Sequence, residues 1–311
     1  MYRCFIKKES KIVFIRKFVL FMRYFLPFIR LLSSLPLGVL YIFSDFIFNL
    51  NHYLIGYRRK VVYQNVKNSF PEKSEKEINL IVKKFFHNFT DYIVETLKSI
   101  TITENEQRVR VQHLNQDVFH DAKNEGKNVI MLTGHVFNWE WISAFAKVIP
   151  QEHCHPVYRK INSSFWENEI LKIRNKFGNE SLEANDVIKH ILRTPNDGNS
   201  VYMFVADQSP FVDHVDVGTT WLNQKTPVFV GYDKLSTRMD LAFIYCDMKK
   251  VKRGYYQVNY YRIQPDGDKF LPLEVVKKFH ILLENTINKR PDNYLWSHRR
   301  WKYADAIKRM I

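Results

Sequence analysis

At 311 residues the chain is long enough for one large domain, and its 46% apolar content allows a sizeable core, which argues against a disordered protein. The formal charge is +15, and residues 1–60 hold a net +9 of it, from eleven Lys and Arg against Glu9 and Asp45. Basic residues interleaved with Phe, Leu and Ile favour an anionic membrane surface over a solvated basic face, and no nucleic-acid-reading module accompanies them. The three cysteines form no CxxC pair, which argues against a disulfide scaffold or zinc site and favours a reducing compartment: Cys4, Cys154 and Cys246.

Residues 1–57 are predicted to form an N-terminal helical segment that anchors the protein to a membrane. This segment is not a clean secretory signal, because Arg16, Lys17 and Arg23 interrupt its apolar stretch. A single pass through residues 31–50 has about the minimum length for a spanning helix, and Pro36 within it weakens the prediction. A spanning helix and an amphipathic or re-entrant anchor therefore both stay open.

The second domain, residues 58–311, is predicted to begin with two helices. The first covers Tyr57–Phe70 and ends at Pro71, and the second starts at Ser74, where Ser74-x-x-Glu77 forms a capping-box pattern. Apolar residues then recur at helical spacing as far as Leu97.

Further along the chain, short apolar runs alternate with helical patterns. The predicted strands are residues 128–133, 153–158, 201–205, 241–247 and 257–264. The predicted helices are residues 137–148, 165–177 and 273–288. This alternation predicts the α/β fold class, with a central mixed sheet flanked by helices.

The strongest chemical signal is His135, which follows the strand 128–133 and precedes a helix. This is the usual ligand position of an open α/β sheet, and Gly134 lets the backbone turn there. Glu140 lies five residues on, from where its carboxylate can fold back to the imidazole, fix its tautomer and stabilise the imidazolium. No Ser or Cys adjoins His135, so a hydroxyl of the substrate itself is the expected nucleophile. A helix-capping histidine and a surface glutamate are the simpler alternative, since the pattern is short.

Wider context strengthens the catalytic interpretation. The block Gly-His-x-x-Asn-Trp-Glu at residues 134–140 resembles the late (lauroyl/myristoyl-type) acyltransferases of lipid A biosynthesis, within the lysophospholipid acyltransferase superfamily. Four more blocks resemble this family and occur in the same order: Arg58–Glu72, Tyr158–Gly178, Asp207-Gln208, and Trp296-Ser297-His298-Arg299-Arg300-Trp301-Lys302.

The resemblance implies a glycerolipid-acyltransferase-like fold and transfer of a fatty acyl chain from acyl-carrier protein to a hydroxyl of a lipid A precursor or related glycolipid. His135 would be the general base and Glu140 its partner, without a covalent intermediate or any cofactor beyond the acyl donor. The implied substrate-binding residues are Asn138, Arg159, Asn162, Asp207 and Gln208. For Arg159 a surface salt bridge is the alternative, and for Asp207 a turn cap.

The same resemblance implies a place at the bacterial inner membrane, with the catalytic domain facing the cytoplasm. The expected partners are acyl-carrier protein, a membrane glycolipid acceptor and the anionic membrane surface, and not nucleic acid. Five residues are expected to contact the membrane or a headgroup, although a basic surface strip with packed tryptophans is equally compatible: Trp296, His298, Arg299, Arg300 and Trp301.

The chain departs from the family pattern at three places. Phe137 stands where the family usually has Gly and is expected to reshape the mouth of the site, Lys160 replaces a Pro, and Asp213–Val230 diverges. A glycerophospholipid acyltransferase is an alternative function. Such enzymes normally have a Phe-Pro-Glu-Gly-Thr-type block where this chain has Val205–Ser209. A catalytically inactive membrane-binding relative is the other alternative.

Two further motifs have simple interpretations. His153-Cys154-His155 lacks additional ligands nearby, so no metal site is expected. The run Lys249–Arg253 is either a solvated turn or a contact for an acidic carrier protein.

Overall fold

The computed structural model describes residues 26–161, 163–210 and 215–311, so residues 1–25 of the predicted anchor and the predicted site residue Asn162 lie outside the described residues. The α-helices are α1 Leu26–Ser34, α2 Leu37–Leu50, α3 Arg59–Ser69, α4 Glu75–Lys98, α5 Glu104–Arg110, α6 Asp117–Asn124, α7 Ser164–Arg174, α8 Val187–Arg193, α9 Asp233–Ser236 and α10 Glu274–Lys289. A π-helical turn at Asn51–Ile55 continues α2, and 3₁₀ helices span Trp139–Lys147, Pro291–Asn293 and Ala304–Ala306.

The β-strands form two sheets. The strands are β1 Val111–Leu114, β2 Val129–Thr133, β3 His153–Tyr158, β4 Leu182–Glu183, β5 Ser200–Val205, β6 Val217–Trp221, β7 Gln224–Pro227, β8 Ala242–Lys252, β9 Tyr255–Ile263 and β10 Arg309–Met310. The larger sheet has the order β1-β9-β8-β2-β5-β3-β4, and the smaller has the order β10-β6-β7. Within the larger sheet all neighbours are parallel except the β8–β9 hairpin. The predicted mixed α/β architecture is confirmed.

Helix α2 has two apolar faces, one buried in the domain core and one exposed. Its buried residues Leu37 and Leu40 belong to the core, and α2 packs along α4. Ile42 and Phe46, on the other face, are 69% and 66% exposed. Within residues 26–161, 163–210 and 215–311 no helix by itself has the length and hydropathy of a transmembrane span; α1 joined to Leu37–Ile55 does, but the two are bent by 114°.

Helix α4 is the longest described helix and starts as the sequence predicts. The Ser74 hydroxyl accepts from the Glu77 N–H, and the Glu77 carboxylate accepts from the Ser74 N–H at 2.9 Å, which completes the capping box. The residues Ile78, Val82 and Phe85 form its buried apolar face, in agreement with the predicted helical spacing.

The central strands β2 and β5 position the candidate site. Every residue of β2 is buried, because the sheet is covered on both faces. In the parallel β2–β5 pair Thr133 lies opposite Val205, so both strands end at the same edge of the sheet. The residues that follow each strand are therefore brought together although they are some 70 positions apart in sequence.

Most predicted elements lie within a few residues of their observed bounds, and the strand 153–158 matches β3. The predicted helix 137–148 is instead a 3₁₀ helix over Trp139–Lys147. Sequence patterns did not predict the short strands β1, β4, β6, β7 and β10 or the short helices α5, α6, α8 and α9. Elements this short give too few periods for the alternation of apolar residues to be recognised.

Candidate active site

His135 and Asp207 meet at the carboxyl edge of the sheet. The Nδ1 atom of His135 lies 2.6 Å from Oδ1 of Asp207, and the backbone N–H of His135 donates to the same oxygen at 3.2 Å. The Ala206 N–H also donates to the Thr133 carbonyl at 2.9 Å, which extends the β2–β5 pairing to the site. Parallel strand ends thus place a carboxylate beside the imidazole.

This contact fixes the tautomer of His135. An ionised carboxylate can only accept, so the proton of the ring must reside on Nδ1 and the lone pair on Nε2. The Gln208 side-chain nitrogen lies 2.8 Å from Nε2 and donates to that lone pair. None of the described residues that hydrogen-bond to the ring is a Ser or a Cys. An imidazole held in this tautomer can act as a general base through Nε2.

Asp207 is 1% exposed, yet its surroundings keep it ionised. Burial acts to raise the pKa of this carboxyl, but the charge and hydrogen bond of His135, the Arg300 guanidinium and the Tyr294 hydroxyl outweigh it and hold the pKa well below its usual range. An ionised Asp207 would stabilise an imidazolium at His135. Tyr294 carried no signal in the sequence analysis.

The backbone around His135 is held by the C-terminal part of the chain. Leu295 donates its N–H to the His135 carbonyl at 3.1 Å, and Phe137 donates its N–H to the Asn293 carbonyl at 3.0 Å. A Cβ on Gly134 would lie 2.5 Å from a methyl carbon of Leu283, so any larger residue here would force the Leu283 side chain of α10 to shift.

Glu140 does not contact the imidazole, which differs from the sequence-based expectation. Its carboxylate forms a bidentate pair with Arg174 on α7, with Nη2–Oε1 at 2.8 Å and Nε–Oε2 at 3.3 Å. Burial acts to lower the pKa of Arg174, but the Glu140 carboxylate outweighs burial and raises it. The carboxylate beside Nδ1 is instead that of Asp207, which the pairing of β2 with β5 brings to His135.

Asn138 and Phe137 face the interior instead of a substrate. Asn138 is 0% exposed, and its side-chain N–H₂ donates to Glu95 at 3.1 Å. Phe137 stacks on Tyr92 at 5.3 Å between ring centroids and is buried among aromatic side chains. The substrate-binding role expected for Asn138, and the place at the site's mouth expected for Phe137, are therefore corrected.

The C-terminal basic–aromatic block is split between interior and surface. Trp296 is 0% exposed and Arg300 1% exposed, so neither can contact a membrane in this fold. Arg300 donates to the Ser209 hydroxyl at 3.0 Å below the His135–Asp207 pair. Trp301 is half-buried and donates to Thr226 at 2.7 Å, whereas Arg299 is exposed. The sequence-based expectation assigned these basic and Trp residues to the membrane surface from their residue types. Their burial depends on contacts with residues distant in sequence, such as Ser209.

Two further polar residues border the site. Arg159, at the end of β3, is exposed and donates to the Ser209 carbonyl at 3.3 Å. His298 is half-buried; burial lowers its pKa to about 4, with a smaller opposing contribution from Asp207, so its ring is neutral at neutral pH. The site therefore combines the His135–Asp207 pair, a neutral imidazole and an exposed cation.

The other two sequence motifs adopt structural roles. His155 stacks on Tyr202 at 5.0 Å between centroids, and within residues 26–161, 163–210 and 215–311 no three His, Cys, Asp or Glu side chains form a metal-binding group. In the 249–253 run, Lys250 and Arg253 turn inward to Asp91 at 3.2 and 2.6 Å, which leaves Lys249 and Lys252 exposed.

The fold and the site together define an α/β protein with a histidine–aspartate pair at the carboxyl edge of its central sheet. A family description, bacterial lipid A biosynthesis acyltransferase, matches residues 7–303, and the chain belongs to this family. It is therefore an acyltransferase of lipid A biosynthesis. A search of curated proteins found no match.

Proposed function

We propose that the chain transfers a fatty acyl chain from acyl-carrier protein to a hydroxyl of a lipid A precursor or a related glycolipid, with His135 as general base. The main observation that supports this mechanism is the 2.6 Å contact between His135 Nδ1 and Asp207. It places the ring proton on Nδ1 and leaves Nε2, with its lone pair, as the basic atom. Membership of the family supports acyl transfer to a lipid A-like acceptor.

The proposed reaction needs no covalent enzyme intermediate. The acceptor hydroxyl displaces the Gln208 amide from Nε2, gives its proton to His135 and attacks the thioester carbonyl. The tetrahedral intermediate then expels the carrier thiolate, which takes the proton back from the imidazolium. Asp207 stabilises the imidazolium throughout, because an ionised carboxylate 2.6 Å away favours the charged ring.

Arg159 and Gln208 are proposed to bind substrate. The exposed guanidinium of Arg159 lies on the strand-end side of the site, anchored through Ser209, and fits a phosphate or the developing oxyanion. Gln208 already touches Nε2, so its amide is within reach of the oxygen that replaces it. Glu140 is proposed to contribute through Arg174, by fixing α7 as one wall of the site.

The acyl donor is proposed to dock on exposed basic residues. Arg299 follows His298 directly in sequence and is exposed, and Lys249 and Lys252 project from the β8–β9 hairpin. An acidic carrier protein would be steered to such residues by complementary charge. Arg299 is also available to a lipid headgroup.

The membrane-facing surface is proposed to be α2 with the π-helical turn that follows. Phe43, Phe46 and Leu54 are 46%, 66% and 79% exposed. Apolar residues in such a row, with the basic run Arg58–Lys60 close by, match an interfacial anchor on an anionic leaflet. With residues 1–25, this surface is proposed to hold the enzyme on the cytoplasmic face of the inner membrane.

The substrates can be tested with purified full-length protein. Acyl-carrier protein or coenzyme A thioesters would be offered with a lipid A precursor or a lysophospholipid, and products followed by mass spectrometry. The proposal expects a mass increase of one acyl chain on the glycolipid, with the carrier-protein donor preferred. Acylation of the lysophospholipid alone would show that the acceptor is a glycerophospholipid and not a glycolipid. Absence of any transfer would refute the proposed activity.

A further inference from the structure

Glu95, on α4, is a buried carboxylate for which the proposed reaction has no direct use. It is 0% exposed and accepts three hydrogen bonds from three different parts of the chain. Tyr41 of α2 donates to Oε1 at 2.8 Å, and Tyr256 of β9 and Asn138 donate to Oε2 at 2.6 and 3.1 Å. The two tyrosines fix the orientation of the carboxylate, and Asn138 is the partner from the segment that follows His135.

This segment is attached to the same turn of α4 by a second contact. The indole N–H of Trp141 donates to the Glu95 carbonyl at 3.2 Å and to the Ser99 hydroxyl at 3.0 Å. Asn138 and Trp141 are also joined, since the Trp141 N–H donates to the Asn138 carbonyl at 3.1 Å. Glu95 therefore contacts both ends of the turn at residues 138–141.

The turn held in this way carries two side chains of the site. The Trp139 ring packs edge-to-face on His135 with centroids 4.8 Å apart, and Glu140 pairs with Arg174. A shift of the turn would move the ring against which the imidazole rests. Small displacements of catalytic groups can cost about two orders of magnitude in rate.

A buried carboxylate is costly, so its presence here calls for a specific purpose. Burial raises the pKa of Glu95, against the hydrogen bonds of Tyr256 and Tyr41. An apolar side chain could fill the same volume, but it would leave three donors unsatisfied and give Asn138 no preferred direction. A carboxylate accepts from all three donors and fixes one geometry.

We propose that Glu95 is a positioning residue for the reaction: through Asn138 and Trp141 it holds the 138–141 turn, and with it the ring that supports His135. This inference rests on the proposed function for its kinetic consequence. Its structural consequence, the rigidity of the turn, is independent of activity.

The test compares Glu95→Gln, Asn138→Ala and the double variant. Glutamine keeps the shape of Glu95 but has one oxygen, so it cannot accept from all three donors. Each single variant should lower kcat about tenfold or more with KM within about threefold, and the double variant should be no slower than the slower single one. Hydrogen exchange of amides 136–147 should accelerate in each, while β5 stays protected. Glu274→Gln, the matched control, makes the same change at another buried carboxylate, on α10, which accepts from the Asp266 and Leu271 N–H groups, and should keep kcat within about twofold.

The inference is overturned if Glu95→Gln folds and keeps kcat within twofold, if the two single effects multiply, or if exchange of amides 136–147 is unchanged. Exchange also separates this inference from the proposed function. Wild type without acyl transfer would defeat the proposed function, while accelerated exchange confined to the turn in Glu95→Gln would still support positioning.

Discussion

The pairing of His135 with Asp207 explains why one imidazole among several in this chain is suited to base catalysis. The base needs one tautomer, an accessible second nitrogen and a stabilised charged form, and the Asp207 carboxylate supplies the first and third. His280, by contrast, is buried, and burial lowers its pKa to about 4, so it stays neutral. Residue type alone does not distinguish these two histidines.

Asp207→Asn is predicted to lower kcat by roughly 10²- to 10⁴-fold with little change in KM. The amide keeps the shape of the side chain but removes the charge that stabilises the imidazolium, and it can present an N–H to Nδ1. Steady-state kinetics on the folded variant checks this. A decrease smaller than about threefold would show that Asp207 only supports the local structure.

Glu140→Gln and Arg174→Gln are predicted to lower kcat/KM by similar factors, and the double variant to be no worse than the poorer single one. The reason is the bidentate pair, through which Glu140 acts on α7. A double-mutant cycle on kcat/KM measures this coupling. If Glu140→Gln is far slower than Arg174→Gln, Glu140 takes part in the chemistry directly.

At the level of single residues, sequence predicted His135 and its neighbourhood but paired it with the wrong carboxylate. Glu140 is close in sequence, whereas Asp207 is brought near only by strand pairing 72 residues away. Asp207 was assigned to the site through the resemblance of the Asp207-Gln208 block to the family. Its contact with His135 depended on which strands are neighbours, and local patterns do not contain that information.

Among the secondary-structure elements, the order of strands β2 and β5 has the largest consequence for the site. Both strands were predicted from apolar runs, and their parallel register places Thr133 opposite Val205. A shift by one residue would turn every side chain of one strand to the other face of the sheet. The alternation of strands and helices predicted the α/β class, but not this register.

Helix α2 supports a prediction about membrane attachment. Replacing Ile42 and Phe46 together by Ser should weaken binding to anionic vesicles by at least about tenfold, because each buried large apolar side chain contributes roughly 1.5–3 kcal/mol. Sedimentation with vesicles measures the bound fraction. Leu80→Ser with Ile281→Ser, which are 51% and 58% exposed elsewhere, is the matched control and should bind as wild type does. Equal binding of both double variants would place the attachment on another surface.

Across the whole molecule, residues far apart in sequence converge on the site. Arg58 donates to the Ser297 carbonyl at 2.7 Å, and Asn65 donates to the carbonyls of Trp296 and His298 at 2.8 and 3.0 Å. The five sequence blocks from residue 58 to 302 are thus in contact around one structure. Their order along the chain suggested a family, and their contacts show that several of these residues support the fold instead of touching a substrate.

The burial of His280 makes the free energy of unfolding depend on pH. His280 has a pKa of about 4 in the folded chain, against about 6.5 when unfolded, so its contribution to stability is present above pH 6.5 and is lost as pH falls toward 4. His280→Leu should flatten the decline in unfolding free energy over this range by up to about 1.4 kcal/mol per pH unit. Urea unfolding at several pH values measures it. Phe279→Leu is the control and should lower the unfolding free energy equally at each pH. If His280→Leu leaves the pH dependence of the unfolding free energy unchanged, His280 is not the group responsible.

The most direct test of the central claim is turnover by His135→Ala with an acyl-carrier-protein thioester and a lipid A precursor. Loss of the imidazole removes the base that Asp207 positions, so the folded variant is predicted to lose at least about 10²-fold in kcat. Added imidazole should restore part of the rate by occupying the vacated space. Turnover within a few-fold of wild type would contradict the account, because another group would then have to deprotonate the acceptor.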